Sequence, residues 1–248
     1  MFAEPKPVVV VTGASGGIGS AVCDLFVENG ARVIGLDLRE PTVSHAQYQH
    51  VQVDVTSEQA MQSCAASLDV PIQHLITCAG IARPSESAAA IAGQLIDADV
   101  FRASVNLNLV SHYVTLMALL PNLESATGDR SVTFTSSINA LVGFSNTLPG
   151  YSSAKAGLLG LVRTLVVPLG ELGIRVNAVL PGTVPTTGTI EEWRNDPGHF
   201  ERLRTTIPLQ RLPSTRDIAD VFLALTTLGH VTGQSIVVDG GQSVARNS

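Results

Sequence analysis

The stretch "VVVVTGASGGIGSAV", residues 8–22, changes character at its middle. Val8 to Val11 are a β-branched run that reads as a buried strand. After Thr12, four of the next seven residues are glycine. "GGIGSAVCDLFVENG" then reads as a helix closed by Gly30. In an open parallel sheet, ligands sit beyond the carboxyl ends of the strands, and Thr12 is the first such end. Gly13, Gly17 and Gly19 allow a tight turn and a helix start. The amides and dipole of that helix start suit a pyrophosphate. A glycine cluster alone also fits an ordinary strand-to-helix turn, so the second strand matters. It ends "GLDL" and places Asp37 18 residues after Gly19. An acid there can accept hydrogen bonds from an adenosine ribose and repels a 2′-phosphate, which favours NAD over NADP. Arg39, two residues on, softens that preference.

Outward from this turn, strand and helix patterns alternate to the end of the chain. "ARVIGLDL", "HVQVDV", "IQHLITCAG", "RSVTFTSS", "IRVNAVLPG" and "QSIVVDGG" read as strands. "SEQAMQSCAASL", capped by Ser57 or Thr56, reads as a helix, as do "YSSAKAGLLGLVRTLVV" and "TRDIADVFLALTT". A long helical region is expected from Asp97 to Leu120, stopped by Pro121. The alternation predicts an α/β fold: a single-domain, Rossmann-type doubly wound parallel sheet of about seven strands, with helices on both faces. Domain 1–248 is expected to be one unit. Between Asp37 and Val51 there is little room for a crossover helix, and Pro41 interrupts the segment, so a loop is expected.

Bulk composition narrows the function. Of 248 residues, 45% are hydrophobic and 15% charged, which suits a large core rather than disorder. No apolar run approaches the roughly 18 residues of a membrane span. "MFAEPKP" is too polar and short for a signal peptide. A reducing, cytoplasmic setting is the default expectation. The three cysteines, Cys23, Cys64 and Cys78, form no CxxC pair, and they read as small buried hydrophobes. The net charge of −6 and the absence of any basic run argue against a nucleic-acid partner. The six histidines are scattered, so no metal site is expected, and His112 and His199 read as structural or solvated.

"YSSAK" sets Tyr151 and Lys155 four residues apart, on one helix face and one turn from each other. A tyrosine acts as a general acid or base near neutral pH only if its pKa falls. A neighbouring ammonium stabilises the phenolate and has that effect. With three tyrosines and only Lys6 and Lys155 as lysines, chance makes few such pairs.

"TGASGGIG", "YSSAK" and "IRVNAVLPG", in this order and near this spacing, resemble the short-chain dehydrogenase/reductase family. The match runs from about Val8 to Gly241. The resemblance implies strand order 3-2-1-4-5-6-7 and reversible hydride transfer between a nicotinamide dinucleotide and a secondary alcohol or ketone. It implies that Tyr151 exchanges a proton with the substrate and that Lys155 lowers the tyrosine's pKa and holds the nicotinamide ribose. Ser137 would hydrogen-bond the reacting oxygen, with Ser136 as fallback, since Ser137 lies 14 residues before Tyr151 where the family has 13. An asparagine of the fourth helix would support a water chain to the lysine. Its distance from Pro121 selects Asn108 over Asn106. Cofactor contacts are implied for Gly13, Ser15, Gly17, Ile18, Gly19, Asp37, Leu38, Asp54, Val55, Cys78, Ala79, Gly80, Tyr151, Lys155, Pro181, Gly182, Val184 and Thr186. The helices "VNLNLVSHYVTLMALL" and "AGLLGLVRTLVV" would pair in a homo-oligomer, a tetramer or dimer.

Three departures stand out. "TCAG" replaces the family's "NNAG", so Cys78 loses the support an amide gives the central strands. Pro168 lies late in the helix carrying Tyr151 and should kink it, more than three turns past Lys155. The short link after Asp37 leaves the adenine side open. Substrate choice should lie in "INALVGFSNTLP" and in a lid at about 187–206, whose Trp193 and Phe200 anchor it to the core. The expected substrate is a small-molecule alcohol or ketone, with a cyclic alcohol or dihydrodiol as the lead. The alternatives are an NADPH-dependent ketoacyl or carbonyl reductase and a catalytically silent dinucleotide-binding regulatory protein.

Overall fold

The valine run forms β1 (Val8–Thr12), and its side chains alternate between two apolar layers. In the computed structural model, residues 2, 6–82, 84–143, 148–194 and 196–245 are described. After β1 come α1 (Gly17–Glu28), β2 (Arg32–Asp37), β3 (Tyr48–Gln52), α2 (Glu58–Ser67) and β4 (His74–Thr77). Then follow α3 (Pro84–Ile91), α4 (Ala98–Val105), a π-helical turn (Asn106–Val110), α5 (Ser111–Glu124) and β5 (Arg130–Thr135). The last third holds a 3-10 turn (Ile138–Ala140), α6 (Pro149–Glu171), β6 (Ile174–Pro181), α7 (Thr187–Glu192), α8 (His199–Thr206), α9 (Thr215–Thr227) and β7 (Ser235–Val238).

All seven strands are parallel, in the order β3-β2-β1-β4-β5-β6-β7. The order reverses at β1, which pairs with β2 on one side and β4 on the other, so Thr12 ends at the switch point where such sheets bind ligands. Both faces of the central strands are buried, while the edge strands β3 and β7 are half-exposed. Val10, Ile34, Leu75 and Phe134 meet α2, α5 and α6 through Met61, Leu116, Leu119 and Leu158. Val9, Val11, Val33 and Val179 meet α1 and α9 through Phe26, Ile218 and Phe222. That two-sided burial is why the central strands read as continuous apolar runs, whereas the edge strand β3 alternates.

The chain from Leu38 to Gln47 holds no helix, as the short link requires. Ser57, not Thr56, caps α2, accepting from the Ala60 amide at 3.3 Å, while Thr56 bonds to Asp54. The helix through Pro121 departs from expectation. Pro121 does not end it: α5 runs on to Glu124. Proline removes one helical hydrogen bond, but tertiary contacts hold the last turn. Asn122 donates to the carbonyls of Leu68 and Val70, its own carbonyl accepts from Ile72, and Leu123 is fully buried. Likewise α6 continues past Pro168 to Glu171, with Leu169 buried.

Ala98–Ser125 and Pro149–Glu171 are each long and apolar enough, by length and composition, to cross a membrane. Neither is an unbroken apolar run, because polar residues punctuate both, and so the sequence pattern alone did not flag them. Each lays one face on the sheet here.

Candidate active site

The glycine turn is shaped first by the protein itself. Gly13 has φ +66°, and a Cβ on it would stand 2.7 Å from the Ala79 nitrogen at the end of β4. A Cβ on Gly19 would stand 2.1 Å from the Gly13 carbonyl oxygen, and one on Gly17 2.5 Å from Thr186 Cγ2. Glycine is thus required for the turn to close against β4 and for Thr186 to rest on the start of α1. Two features of the turn still fit a diphosphate. No side chain caps α1 at Gly16, and Ser15 Oγ is buried without a hydrogen-bond partner among the described residues. Ile18 follows in the first turn of that helix.

At the end of β2, the Asp37 carboxylate accepts from the Ser15 amide at 3.0 Å and from the Arg39 amide and guanidinium at 2.9–3.2 Å. Burial pushes its pKa up, but the bonds from Arg39 and Ser15 outweigh that and hold it below the ordinary carboxylate range. The Arg39 side chain is 64% exposed while that of Asp37 is 6%. The carboxylate that would meet a ribose therefore also anchors the glycine turn and pairs with an exposed cation. Leu38, between them, is exposed. Asp54 and Val55 follow β3, with Asp54 bonded to Thr56 and Val55 buried.

Helix α6 carries Tyr151 in its first turn and Lys155 in its second. Lys155 Nζ stands 5.6 Å from the centre of the Tyr151 ring and donates to the Thr135 carbonyl at 2.8 Å. Its side chain is buried, and desolvation brings its pKa down to about 7. Gly80, at φ +152°, closes this corner: a Cβ there would be 2.7 Å from Asn108 Oδ1 and 3.1 Å from Lys155 Nζ. Asn108 is fully buried in the π-helical turn. Its amide accepts from the Ile81 nitrogen and donates to the carbonyls of Ile81 and Ser104, each at 3.0 Å. Asn106 is exposed. The structure therefore brings Asn108, Gly80, Lys155 and Tyr151 together and leaves Asn106 outside. The spacing argument from Pro121 as a helix end selects the same asparagine, although Pro121 does not end the helix.

Ser136 and Ser137 divide the end of β5. Ser136 Oγ donates to the Lys155 carbonyl at 2.8 Å and so braces α6. Ser137 Oγ accepts from the Asn139 amide at 3.2 Å and caps the 3-10 turn. Cys78 does not leave the central strands unsupported. Its amide donates to the Thr12 carbonyl, Thr135 Oγ1 donates to its sulfur at 3.4 Å, and the Ala79 amide donates to Thr12 Oγ1. Burial pushes the Cys78 thiol up to about 11. His112 is buried against Thr77, 2.6 Å from Nδ1 to Oγ1, and burial holds it well below its ordinary value.

Beyond β6, Pro181 ends the strand and the Gly182 amide donates to Val238. Val184 is buried, and Thr186 forms a capping box with Thr189 at the start of α7. Asp239 accepts from the amides of Gly241 and Ser243, so "VDGG" is a turn anchor. Within 187–206 the rings pack on one another rather than reach out. Trp193 stacks on His199 at 3.7 Å, and His199 meets Phe200 edge-on at 5.5 Å. Burial lowers the His199 pKa. Phe144 to Thr147, inside the expected substrate segment, lie outside the described residues, as does Asn195 in the lid. One residue absent from the sequence reading is Glu86. It is fully buried beside Tyr151, and only the tertiary fold reveals it.

A glycine turn at the switch point of a parallel sheet, with a Tyr–Lys pair at its carboxyl edge, defines a Rossmann-type oxidoreductase. The family profile described as enoyl-(acyl carrier protein) reductase matches residues 13–243. The chain is 32% identical over 240 residues to an uncharacterised oxidoreductase of Schizosaccharomyces pombe, covering 94% of this chain and 90% of that one. It is 33% identical over 251 residues to the L-rhamnose 1-dehydrogenase (NAD(P)(+)) of Azotobacter vinelandii, covering 94% and 95%. A crystal structure of a short-chain oxidoreductase from Burkholderia thailandensis superposes with a TM-score of 0.87 at 28% identity, over 98% of this chain and 95% of that one. The chain belongs to the short-chain dehydrogenase/reductase family, whose dehydrogenases use NAD or NADP.

Proposed function

We propose that the protein is an NAD-dependent dehydrogenase acting reversibly on a secondary alcohol or ketone, with cyclic alcohols as the leading substrate class. The observation that carries this reading is the corner where Lys155 Nζ meets the Tyr151 ring, Asn108 and Gly80 at the carboxyl edge of the sheet. The glycine turn, Ser15, Asp37 and the Pro181–Thr186 segment would hold the dinucleotide. Its nicotinamide supplies the two-electron acceptor or donor. Tyr151 takes the substrate's hydroxyl proton in oxidation and returns it in reduction. The Lys155 ammonium stabilises the phenolate, and a phenolate alongside favours the charged lysine in return. Ser137 orients the reacting oxygen. Asn108 ties the loop after β4 to α4 through Ile81 and Ser104, beside Lys155. The segment 187–206, entered through the Thr186 capping box, would serve as a lid that shields the site from water.

Asp37 favours NAD, because its carboxylate repels a 2′-phosphate. Arg39 supports a second reading, an NADPH-dependent carbonyl reductase, since its exposed guanidinium can pair with that phosphate. The cyclic-substrate preference draws on the L-rhamnose dehydrogenase among the relatives. Exposed Phe101, Tyr113 and Met117 on α4–α5 and Val167 on α6 support assembly into a dimer or tetramer through those helices. The test is a panel of L-rhamnose, cyclohexanol, 1,2-cyclohexanediol and a cyclohexadiene diol, each with NAD and with NADP, followed at the absorbance of the reduced nicotinamide. Turnover of one cyclic alcohol with NAD supports the reading. Reduction of cyclohexanone with NADPH, with no oxidation of any alcohol of the panel, supports the second. NADH binding without turnover of any alcohol or ketone leaves the silent binding module.

A further inference from the structure

We infer that Glu86 is a positioning residue for Tyr151, an acceptor supplied from α3 that fixes the start of the active helix. The inference rests on the role proposed above for Tyr151. The start of α6 lacks an ordinary cap. Leu148 offers no side-chain acceptor, and Pro149 has no N–H to satisfy. The amide of Tyr151 instead donates to Glu86 Oε1 at 3.0 Å, from a residue 65 positions away. Gly150 is the notch that admits this contact. A Cβ there would lie 2.8 Å from Ser104 Cβ, 3.1 Å from Ser104 Oγ and 3.2 Å from Glu86 Oε1. Ser104 belongs to α4, and its carbonyl accepts from Asn108, which meets Lys155 across Gly80. Glu86 thus bonds the Tyr151 turn directly, while Asn108 ties α4 to the loop beside Lys155.

Glu86 is 0% exposed, and its Oε2 has no hydrogen-bond partner among the described residues. A buried, half-satisfied carboxyl is costly, and a serine at Leu148 would cap the helix more cheaply. What Glu86 adds is an anchor on the backbone of the tyrosine itself, fastened to α3 rather than to the chain entering the helix. The phenol hangs from that one Cα, and misplacement of a reacting group by about 1 Å costs on the order of a hundredfold in rate.

The test compares Glu86→Gln, which keeps an acceptor oxygen in place, with Glu86→Ala, which removes it. The readouts are kcat and KM on the best alcohol of the panel, NADH affinity by fluorescence, and hydrogen exchange of the peptide spanning Gly150–Ser152. Glu86→Ala is expected to lower kcat about 10- to 100-fold with KM and NADH affinity nearly unchanged, and to speed exchange at the Tyr151 amide. Glu86→Gln should restore both. Should the alanine variant not fold, Glu86→Asp, which withdraws the acceptor by one methylene, takes its place with the same expectation. Unchanged kcat and exchange in the alanine variant would overturn the inference. So would a glutamine variant as impaired as alanine, or losses shared equally by NADH binding. If the wild type turned over nothing, the proposed function would fail, and hydrogen exchange alone would still decide whether Glu86 anchors Tyr151.

Discussion

Lys155 Nζ lies 5.6 Å above the Tyr151 ring and 2.8 Å from the Thr135 carbonyl, inside the protein. A buried lysine of this kind couples activity to stability. Its pKa is about 7 in the folded chain, below the ordinary 10.5. Between those values the unfolded chain binds the extra proton, so this group's contribution to stability rises with pH from about 7 to 10.5. Lys155→Met removes that dependence. Urea denaturation of the cofactor-free protein should show the methionine variant gaining on wild type at pH 6.5 and losing that advantage at pH 10. A stability difference that stays flat with pH would contradict the lowered pKa of Lys155.

Asp37 should set the choice of dinucleotide. Asp37→Ser is expected to raise kcat/KM with NADP relative to NAD by at least about tenfold, a modest share of what one charge repulsion supplies. Arg39→Ala should move the ratio the other way, because it removes the cation and leaves the carboxylate. If neither changes the ratio in initial-rate assays, Asp37 serves only to hold the Ser15 amide.

Gly19→Ala should be destabilising without any ligand present. Its Cβ would fall 2.1 Å from the Gly13 carbonyl oxygen, and backbone on both sides must shift. A loss of about 1–3 kcal/mol is expected in urea denaturation, the usual cost of overpacking. Stability equal to wild type would show the turn to be looser than it looks.

The helix end beyond Pro121 gives another check. Asn122 satisfies the carbonyls of Leu68 and Val70, so Asn122→Ala should cost about 1–3 kcal/mol through buried acceptors left unpaired. No loss would mean that Leu123 packing alone carries the turn.

The same helix end shows where sequence reading stops. Proline speaks against a helix locally, and the bonds that overrule it join Asn122 to residues more than 50 positions away. The valine strands, the glycine turn and the Tyr–Lys spacing were legible because each is a local pattern with a fixed period. So was the loop after Asp37, since Pro41 and the short link leave no room for a helix. The glycine spacing marks a place of close approach, and the neighbours that come close in the structure are Thr186 and the end of β4. The bond from Thr135 to the Cys78 sulfur is not legible in the sequence, because Thr135 lies on a neighbouring strand. Glu86 was invisible: it sits among small residues, and only the packing of α3 and α4 on α6 brings it to Tyr151.

The most direct measurement is of Tyr151→Phe, which keeps the ring over Lys155 and removes the hydroxyl alone. With the alcohol that wild type oxidises best, kcat should fall by at least about a hundredfold, the scale of lost acid–base catalysis, while NADH fluorescence titration returns the wild-type affinity. A phenylalanine variant that turns over at the wild-type rate would contradict the account.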